Sequence, residues 1–287
     1  MTQFKSILNK INNILPEIPM HINWEEIHAA RWTSHRYFAG WLEPINASTN
    51  QGFNDLKGIH TQIEKLKANL DQFTSNQPCN STLLWGARGT GKSSLIKVAI
   101  KHYASRKMRL IEVSKENLAD LPKIVQLIKR LPYFFVIFCD DLSFEIGETE
   151  ATGLRSILDG TVETFEKNII VIATSNRRHI IAEPASDNLL STSKDSELHY
   201  GDVIENRIAL SDRFGLWLSF PPFNQSTYLA ICEHWFNQLA KPQRFGGWNN
   251  DVAIEAANFA ISRGSRGGRI AKHFVINWLA EKRMKNV

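Results

Sequence analysis

The sequence has few residues of the kinds that build disulfide frameworks or metal clusters. There are three cysteines in 287 residues, without a C-x-x-C pair or a histidine at metal-ligand spacing. The nine histidines form no H-E-x-x-H motif, and no G-x-S-x-G nucleophile elbow occurs. These absences exclude a disulfide scaffold, a zinc peptidase of that type and a hydrolase built on that elbow. We therefore expect a reduced, cytoplasmic protein.

Long apolar runs, internal repeats and low-complexity tracts are also absent. No stretch of about 18 apolar residues occurs, and the first residues lack the pattern of a secretory signal, so we expect neither a membrane partner nor export. Hydrophobic residues make up 43% of the chain and charged residues 22%, which is typical of a globular protein. The net charge of +5 permits contact with nucleic acid. Because the basic residues are spread along the chain, solvation of the surface is favoured over a nucleic-acid partner.

One stretch, residues 86–93, fits G-x-x-x-x-G-K-[ST] at every fixed position. It follows an apolar run at 81–85 and precedes a helical pattern at 94–103, which is the context that a phosphate-binding loop requires. Its glycines let backbone N–H groups converge on phosphate oxygens at the positive end of a helix. We expect Lys92 to reach the β- and γ-phosphates of ATP and the Ser93 hydroxyl to hold Mg²⁺. The predicted nucleotide-binding residues of this loop are Gly86, Ala87, Arg88, Gly89, Thr90, Gly91, Lys92, Ser93 and Ser94.

After this loop, apolar runs of strand length alternate with helical patterns. The runs lie at 109–113, 133–139, 169–174 and 216–220, and the first helical pattern lies at 118–131. The run at 133–139 is continuously apolar, as expected for a strand that is covered on both faces. The alternation predicts a three-layer α/β fold with a parallel sheet, of the P-loop NTPase kind, and a ligand at the carboxyl ends of the strands.

The pattern divides the chain into three predicted parts. Residues 1–50 form an N-terminal helical and aromatic extension, with a helical stripe at 4–15, which we expect to pack on the main domain rather than to dock a partner. Residues 51–221 form the α/β nucleotide-binding core, in which the polar stretch 183–202 is an exposed insertion. Residues 222–287 contain three successive apolar stripes with helical spacing and are predicted to form a small helical lid domain.

Two neighbouring carboxylates follow the buried strand at 133–139. Asp140 stands where a P-loop fold holds Mg²⁺ opposite Ser93, as in a Walker B element. Asp141 stands where a second carboxylate would orient the attacking water, and Glu145 is its rival for that role. The structural alternative is that Asp140 and Asp141 cap the helix that follows.

The order of the motifs resembles that of a known superfamily. The loop G-A-R-G-T-G-K-S is followed by F-V-I-F-C-D-D, I-A-T-S-N, L-S-D-R-F-G and G-G-R-I-A, and this series, over residues 55–280, resembles the AAA+ ATPases. The phrases D-D-L-S-F-E, A-T-S-N-R-R-H and L-S-D-R-F-G-L-W-L are similar to a bacterial family of predicted AAA+-type ATP-binding proteins whose role is not established. The resemblance implies an ATP-binding protein with the fold predicted above.

The resemblance also implies roles for three further polar residues. Asn176 looks like the sensor 1 residue, which in AAA+ proteins helps to place the water near the γ-phosphate; the structural alternative is a turn residue at a strand end. Arg213 is similar to the arginine finger that stabilises phosphoryl charge at a neighbouring subunit's nucleotide, and its alternative is a surface ion pair. Arg269 resembles sensor 2 at the start of the last predicted helix, with Arg266 or a merely solvated arginine as alternatives.

Two departures from the AAA+ pattern bear on activity. Most AAA+ proteins have glutamate after the Walker B aspartate, whereas Asp141 is one methylene shorter, so we expect slow turnover. Residues 114–120 lack the aromatic-hydrophobic-glycine loop of members that thread proteins through a pore. An unfoldase role is therefore disfavoured.

The favoured function is a Mg²⁺-dependent ATPase that works as a homo-oligomeric ring or open assembly and remodels a macromolecular partner. Its predicted catalytic residues are Asp141, Glu145, Asn176 and Arg213, with Arg269 at the nucleotide and Ser93 and Asp140 at the metal. One alternative is a nucleotide-gated binding module with little hydrolysis, which the Asp140-Asp141 pair favours. A second is a nucleic-acid loader or adaptor, for which the positive net charge is the supporting feature.

Overall fold

The computed structural model of the protein describes six stretches of the chain: 22–35, 38–142, 150–158, 167–176, 211–240 and 247–285. Within them, a central sheet of seven strands is packed against helices on both faces. Three further helices form a separate bundle towards the end of the chain. The predicted stripe at 4–15 and the predicted insertion at 183–202 lie outside the described residues.

The sheet places the strands that carry the predicted site side by side. The strands are β1 (Ala29–His35), β2 (Phe38–Pro44), β3 (Thr82–Gly86), β4 (Met108–Glu112), β5 (Phe134–Cys139), β6 (Ile169–Ser175) and β7 (Leu216–Phe220). Their order is β2-β1-β4-β5-β6-β3-β7, and every neighbouring pair is parallel except β1 with β2. The carboxyl ends of β5, β6 and β3 therefore meet at one edge of the sheet. The predicted α/β class with a parallel sheet is confirmed.

Seven α-helices lie in the described residues, and one differs from its prediction. They are α1 (His60–Thr74), α2 (Lys92–Tyr103), α3 (Leu121–Ile128), α4 (Glu150–Leu158), α5 (Gln225–Leu239), α6 (Asn250–Ser262) and α7 (Gly268–Lys285). The helix predicted at 118–131 is shorter, because a 3₁₀ turn at Lys115–Asp120 precedes α3. Pro122 occupies the first turn of α3, where its missing N–H is not needed. Pro132 disfavours helical backbone at the residue before it, so the helix ends early.

Strand β5 is buried on both faces of the sheet. Phe135 and Ile137 pack in one hydrophobic cluster with α3 and α4, whereas Val136 and Phe138 pack in another with α1 and α2. Successive side chains of a strand point to opposite faces, so a continuously apolar strand joins both clusters. Burying each such side chain contributes about 1.5–3 kcal/mol, which fixes β5 in the centre of the core and its carboxyl end at the sheet edge.

The structure differs from the predicted extension at residues 29–44. There β1 and β2 form an antiparallel pair, and β1 adds to the sheet beside β4. Trp32 is buried, and its indole N–H donates to Asp120 Oδ2 at 3.1 Å. The register of the pair shifts between Thr33 and His35, which breaks the alternation by which a strand is recognised in a sequence. This part of the predicted 1–50 segment therefore belongs to the main sheet.

The residues after β7 form a helical bundle with its own core, at the place of the predicted lid. Helices α5, α6 and α7 surround a cluster that contains Tyr228, Phe236 and Trp278. Asn224 and Asn249 cap α5 and α6, since each side chain accepts a backbone N–H three residues later, at 2.8 and 3.0 Å. Across the described ranges, no helix combines the length and apolarity needed to cross a membrane.

Candidate active site

The predicted phosphate loop joins the end of β3 to the start of α2. Gly86 and Gly91 have φ values of 133° and 99°, which side-chain-bearing residues rarely adopt. At Gly86 the chain also passes close to β7, because a Cβ there would lie 2.2 Å from the Phe220 oxygen. That oxygen accepts a hydrogen bond from the Ala87 N–H at 2.9 Å. The glycines thus let the loop turn tightly against β7 and place the N-terminus of α2 at the edge of the sheet.

Lys92 occupies the centre of the loop and is nearly buried, with 8% of its surface exposed. Its Nζ donates to the carbonyl oxygens of Gly86 and Ala87 at 2.8 Å each, and to Asn176 Oδ1 at 3.3 Å. Burial lowers the pKa of the Lys92 ammonium, while the carboxylates of Asp141 and Asp140 act in the opposite direction. A desolvated cation held by neutral carbonyl groups is suited to binding an anion such as a phosphate.

Ser93 and Asp140 form an oxygen pair that fits Mg²⁺. Ser93 Oγ donates to Asp140 Oδ1 at 2.8 Å. Two adjacent ligands of an octahedral Mg²⁺ site, each about 2.05 Å from the ion, would be about 2.9 Å apart. Among the described residues, no group of three or more histidine, cysteine or acidic side chains is placed to hold a metal ion. An ion held by this pair would complete its coordination with phosphate oxygens and water, as Mg²⁺ commonly does.

Asp141 lies beside Asp140 in an uncommon backbone conformation. Its φ is 54°, in the left-handed region. Its Oδ1 accepts a hydrogen bond from the side-chain amide of Asn176, and its Oδ2 lies 4.0 Å from Arg88 Nη2. The side chains of Arg88 and Asp141 are mostly exposed, so this ion pair contributes little to stability. The bond from Asn176 holds the Asp141 carboxylate at the end of β6.

One cavity of about 600 Å³ brings together most of the predicted residues. Cavities of this size suit a ligand as large as a nucleotide. Arg266, the alternative to Arg269, is exposed and is not among the described residues that line it. The predicted residues that line the cavity are Arg88, Gly89, Thr90, Gly91, Lys92, Ser93, Ser94, Asp140, Asp141, Asn176 and Arg269.

The helical bundle after β7, which we call the lid, lines the other side of this cavity. At the first turn of α7, the Gly268 N–H donates to the Gly89 oxygen of the phosphate loop at 2.7 Å. Above the loop, Lys272 Nζ lies 4.4 Å from the centre of the Trp235 ring, within the range of a cation–π interaction. The apolar part of the lining is formed by Leu56, Ile59, Phe223, Ile231 and Trp235. An aromatic and aliphatic wall beside a phosphate loop is suited to the base of a nucleotide.

Arg213, a predicted catalytic residue, is not among the described residues that line this cavity. Arg213 precedes β7, whereas the phosphate loop follows β3; because these strands are parallel, the two features lie at opposite edges of the sheet. Arg213 lines a second cavity of about 420 Å³, together with Lys167 and Asn76. Glu145 lies outside the described residues.

The structure adds residues that the sequence analysis did not single out. Thr174, on β6, contacts Asp140 and Asp141 and lines the cavity. A polar residue inside an otherwise apolar strand, two positions before Asn176, was the available signal. Ile231 and Trp235 lie on a stripe predicted for the core of the lid, and helical periodicity does not distinguish a side chain that packs inside a bundle from one that faces a ligand.

A family comparison covers most of the chain. The family described as "Protein of unknown function (DUF815)" matches residues 25–282. No curated protein matches the chain.

Three solved structures are similar to the chain at low sequence identity. The Orc1 protein of Aeropyrum pernix, in complex with DNA, is 16% identical with a TM-score of 0.56, over 79% of this chain and 61% of that chain. This chain thus covers less than two thirds of the Orc1 chain. The FIGL-1 AAA domain in complex with ADP is 16% identical with a TM-score of 0.47, over 75% and 74% of the two chains. The RuvB Holliday junction branch migration motor of Thermotoga maritima is 14% identical with a TM-score of 0.44, over 79% and 70%. The likeness to Orc1 agrees with the predicted P-loop NTPase fold.

Proposed function

We propose that this chain, which belongs to the family described as protein of unknown function (DUF815), binds ATP with Mg²⁺ and hydrolyses it. One observation carries the proposal: in one cavity, Lys92 is hydrogen-bonded to Asn176 and Ser93 to Asp140, so that the start of α2 meets the ends of β5 and β6. The AAA+ fold supports the same conclusion, because the ligand of such a sheet lies at the carboxyl ends of its strands.

Binding is assigned to the loop and to the oxygen pair. Lys92 would direct its ammonium at the β- and γ-phosphates, and Ser93 and Asp140 would hold the ion. An ion held by Ser93 and Asp140 would neutralise negative charge on the phosphate groups. Arg269 and the apolar wall would hold the remaining parts of the nucleotide, which would couple nucleotide binding to the position of the lid.

Hydrolysis is assigned to Asp141 and Asn176. The Asp141 carboxylate would orient the attacking water, since phosphoryl transfer depends mainly on positioning and on electrostatic stabilisation. Asn176 has a double role, because its amide donates to Asp141 while its oxygen accepts from Lys92. This contact links the water-orienting carboxylate to the phosphate-binding cation.

A complete site is proposed to require a second copy of the chain. Arg213 lies at the sheet edge opposite its own phosphate loop, so it would stabilise charge on a nucleotide that a neighbouring copy holds. We therefore propose a homo-oligomer, in ring or open form, whose ATP cycle remodels a macromolecular partner.

A nucleotide-gated binding module with little hydrolysis is the second candidate. The observation that favours it is that the Asp141 carboxylate is short, lies on left-handed backbone and is already bound by Asn176. Such a protein would use bound ATP to fix the position of the lid and would not hydrolyse the ATP.

Phosphate release from ATP by the pure protein separates the two candidates. The ATPase proposal expects Mg²⁺-dependent release that Lys92→Ala abolishes. The matched control is Lys97→Ala, which removes an exposed lysine from the same helix. Tight binding of ATP without release would favour the binding module, and release that is equal in Lys92→Ala and the wild type would contradict the proposed site.

A further inference from the structure

Thr174 is a buried residue at the carboxyl end of β6, with 1% of its surface exposed. Its hydroxyl donates to Asp140 Oδ1 at 2.5 Å and accepts the Asp141 N–H at 2.8 Å. Its backbone oxygen accepts the Leu142 N–H at 2.7 Å. A single residue therefore binds three consecutive residues that follow β5.

We infer that Thr174 is a positioning residue of the site, whose hydroxyl sets the spacing between the metal-binding carboxylate of Asp140 and the water-orienting carboxylate of Asp141. The inference rests on the proposed function, because the roles of these two carboxylates come from it. Thr174 itself touches neither nucleotide nor water in this account and acts through its neighbours.

The directions of these two hydrogen bonds require a group at residue 174 that can both donate and accept, as a hydroxyl does. A threonine hydroxyl has one hydrogen to donate and lone pairs that accept. The Asp141 N–H occupies a lone pair, so the hydrogen is available for Asp140 Oδ1. Valine has the same shape but can neither donate to the carboxylate nor accept the amide, and it would leave both groups without this partner.

The contact to Asp140 comes from the buried side of the site. Asp140 Oδ1 accepts from two hydroxyls, that of Ser93 in the phosphate loop and that of Thr174 in the sheet. The Ser93 hydroxyl is the one assigned to the ion, so its bond to Asp140 changes when the ion binds. The bond from Thr174 does not have to change, and it would hold the carboxylate in one orientation throughout.

The contact to Asp141 holds an uncommon backbone conformation. Asp141 has a left-handed φ of 54°, and non-glycine residues rarely take it unless surrounding contacts require it. The two N–H groups that follow Asp140 both donate to Thr174, one to its hydroxyl and one to its carbonyl. Without the hydroxyl, the Asp141 amide loses this partner and the carboxylate is free to move away from Asn176.

Thr174 and Asn176 act as a pair. Thr174 lies near the end of β6 and Asn176 is the first residue after it. Asn176 contacts the carboxylate of Asp141, and Thr174 contacts the carboxylate of Asp140 and the backbone of Asp141. The end of β6 thus holds both functional groups at the end of β5.

The test compares Thr174→Val with Thr174→Ser, which keeps the hydroxyl, and with Thr82→Val. Thr82 is a buried threonine on the neighbouring strand β3, and its hydroxyl bonds to Asn69 and Asn80, away from the carboxylates. Two quantities are measured: the Mn²⁺ concentration that half-saturates ATP-dependent metal binding, by electron paramagnetic resonance, and the exchange rate of the Asp141 amide, by NMR without nucleotide. Loss of a residue that orients a metal ligand commonly costs about 10–100-fold in affinity or activity.

For Thr174→Val we expect the half-saturating Mn²⁺ concentration to rise at least about tenfold and the Asp141 amide to exchange faster. Thr174→Ser and Thr82→Val should both behave like the wild type. If the valine variant does not fold, Thr174→Ala, which also lacks the hydroxyl, takes its place.

Unchanged Mn²⁺ affinity in Thr174→Val would overturn the inference, and so would unchanged exchange at Asp141. A loss of metal affinity that is equally large in Thr82→Val would also overturn it, since a general effect on the sheet would then be responsible. A wild type that binds no Mn²⁺ with ATP would instead contradict the proposed function, while the exchange rate at Asp141 would still decide whether the Thr174 hydroxyl holds this turn.

Discussion

The backbone N–H of Gly268 donates a hydrogen bond of 2.7 Å to the carbonyl oxygen of Gly89. Gly89 belongs to the phosphate loop and Gly268 begins the last helix of the lid, so the loop and the lid are in direct contact. The backbone of Gly267 also lies close to the loop, because a Cβ at this residue would be 3.3 Å from both the Cα and the oxygen of Gly89. The lid therefore contacts the loop through backbone atoms.

Gly267→Val is expected to push the lid away from the phosphate loop. Inserting a branched side chain into a close contact between backbones typically costs about 1–3 kcal/mol. Because Arg269, Ile231 and Trp235 belong to the lid, we expect ATP affinity to fall about tenfold, which corresponds to about 1.4 kcal/mol. Calorimetric titration of ATP checks this. The control is Gly247→Val, since a Cβ at Gly247 meets nothing within 4 Å; equal affinities in the two variants would contradict the coupling.

Asp140→Asn and Asp141→Asn should have different effects. Asp140→Asn removes a ligand charge from the ion, so Mg²⁺-dependent nucleotide binding should weaken. Asp141→Asn should leave binding within about twofold and lower the rate of phosphate release by about 100-fold, because general-base or water-positioning groups contribute about that much. Steady-state phosphate release and ATP titration together check both. Identical profiles for the two variants would contradict the division of roles.

Glu145 is tested by Glu145→Gln. If this variant loses turnover while Asp141→Asn hydrolyses ATP at the wild-type rate, the water-orienting role belongs to Glu145. Because Asn176 donates a hydrogen bond to Asp141, we expect the opposite result: Asp141→Asn should lose turnover, and Glu145→Gln should hydrolyse ATP at the wild-type rate.

Arg213→Ala should spare ATP binding and lower turnover, because the guanidinium completes the site of a neighbouring copy. In a mixture of Arg213→Ala and Lys92→Ala subunits, some interfaces pair an intact loop with an intact arginine. We therefore expect activity to return in mixtures of two inactive variants, measured as phosphate release at constant total protein. The control is Arg130→Ala, which removes an exposed arginine that lines neither cavity. Absence of recovery in mixtures that native mass shows to contain both subunits would contradict the shared site.

The parts of the fold that could be predicted are those encoded by neighbouring residues. The phosphate loop is a contiguous motif, and β5 is a continuous apolar run between a turn and a pair of aspartates. In both cases the local sequence contains the whole signal. β1 could not be predicted, because its alternation is interrupted by a register shift and its stability comes from Trp32 and from pairing with β4, about 80 residues away.

Most residues of the candidate site could be predicted from the sequence, but the contacts between them could not. Asp140 and Asn176 follow separate strands, and only the order of the strands in the sheet brings them to one cavity. The bonds of Thr174 depend on the ends of β5 and β6 lying side by side in the sheet, which no spacing in the sequence encodes. The same holds for Trp235, whose position over the cavity depends on how the lid packs on the core.

Calorimetric titration of ATP in the presence of Mg²⁺, with the wild type, Lys92→Ala and Lys97→Ala, tests the central claim most directly. The wild type and Lys97→Ala should bind one ATP per chain with the same affinity. Lys92→Ala should bind at least about 100-fold more weakly, since a buried ammonium hydrogen-bonded to phosphate contributes about 3 kcal/mol. Equal affinity in Lys92→Ala and the wild type, or a wild type that does not bind ATP, would contradict the account.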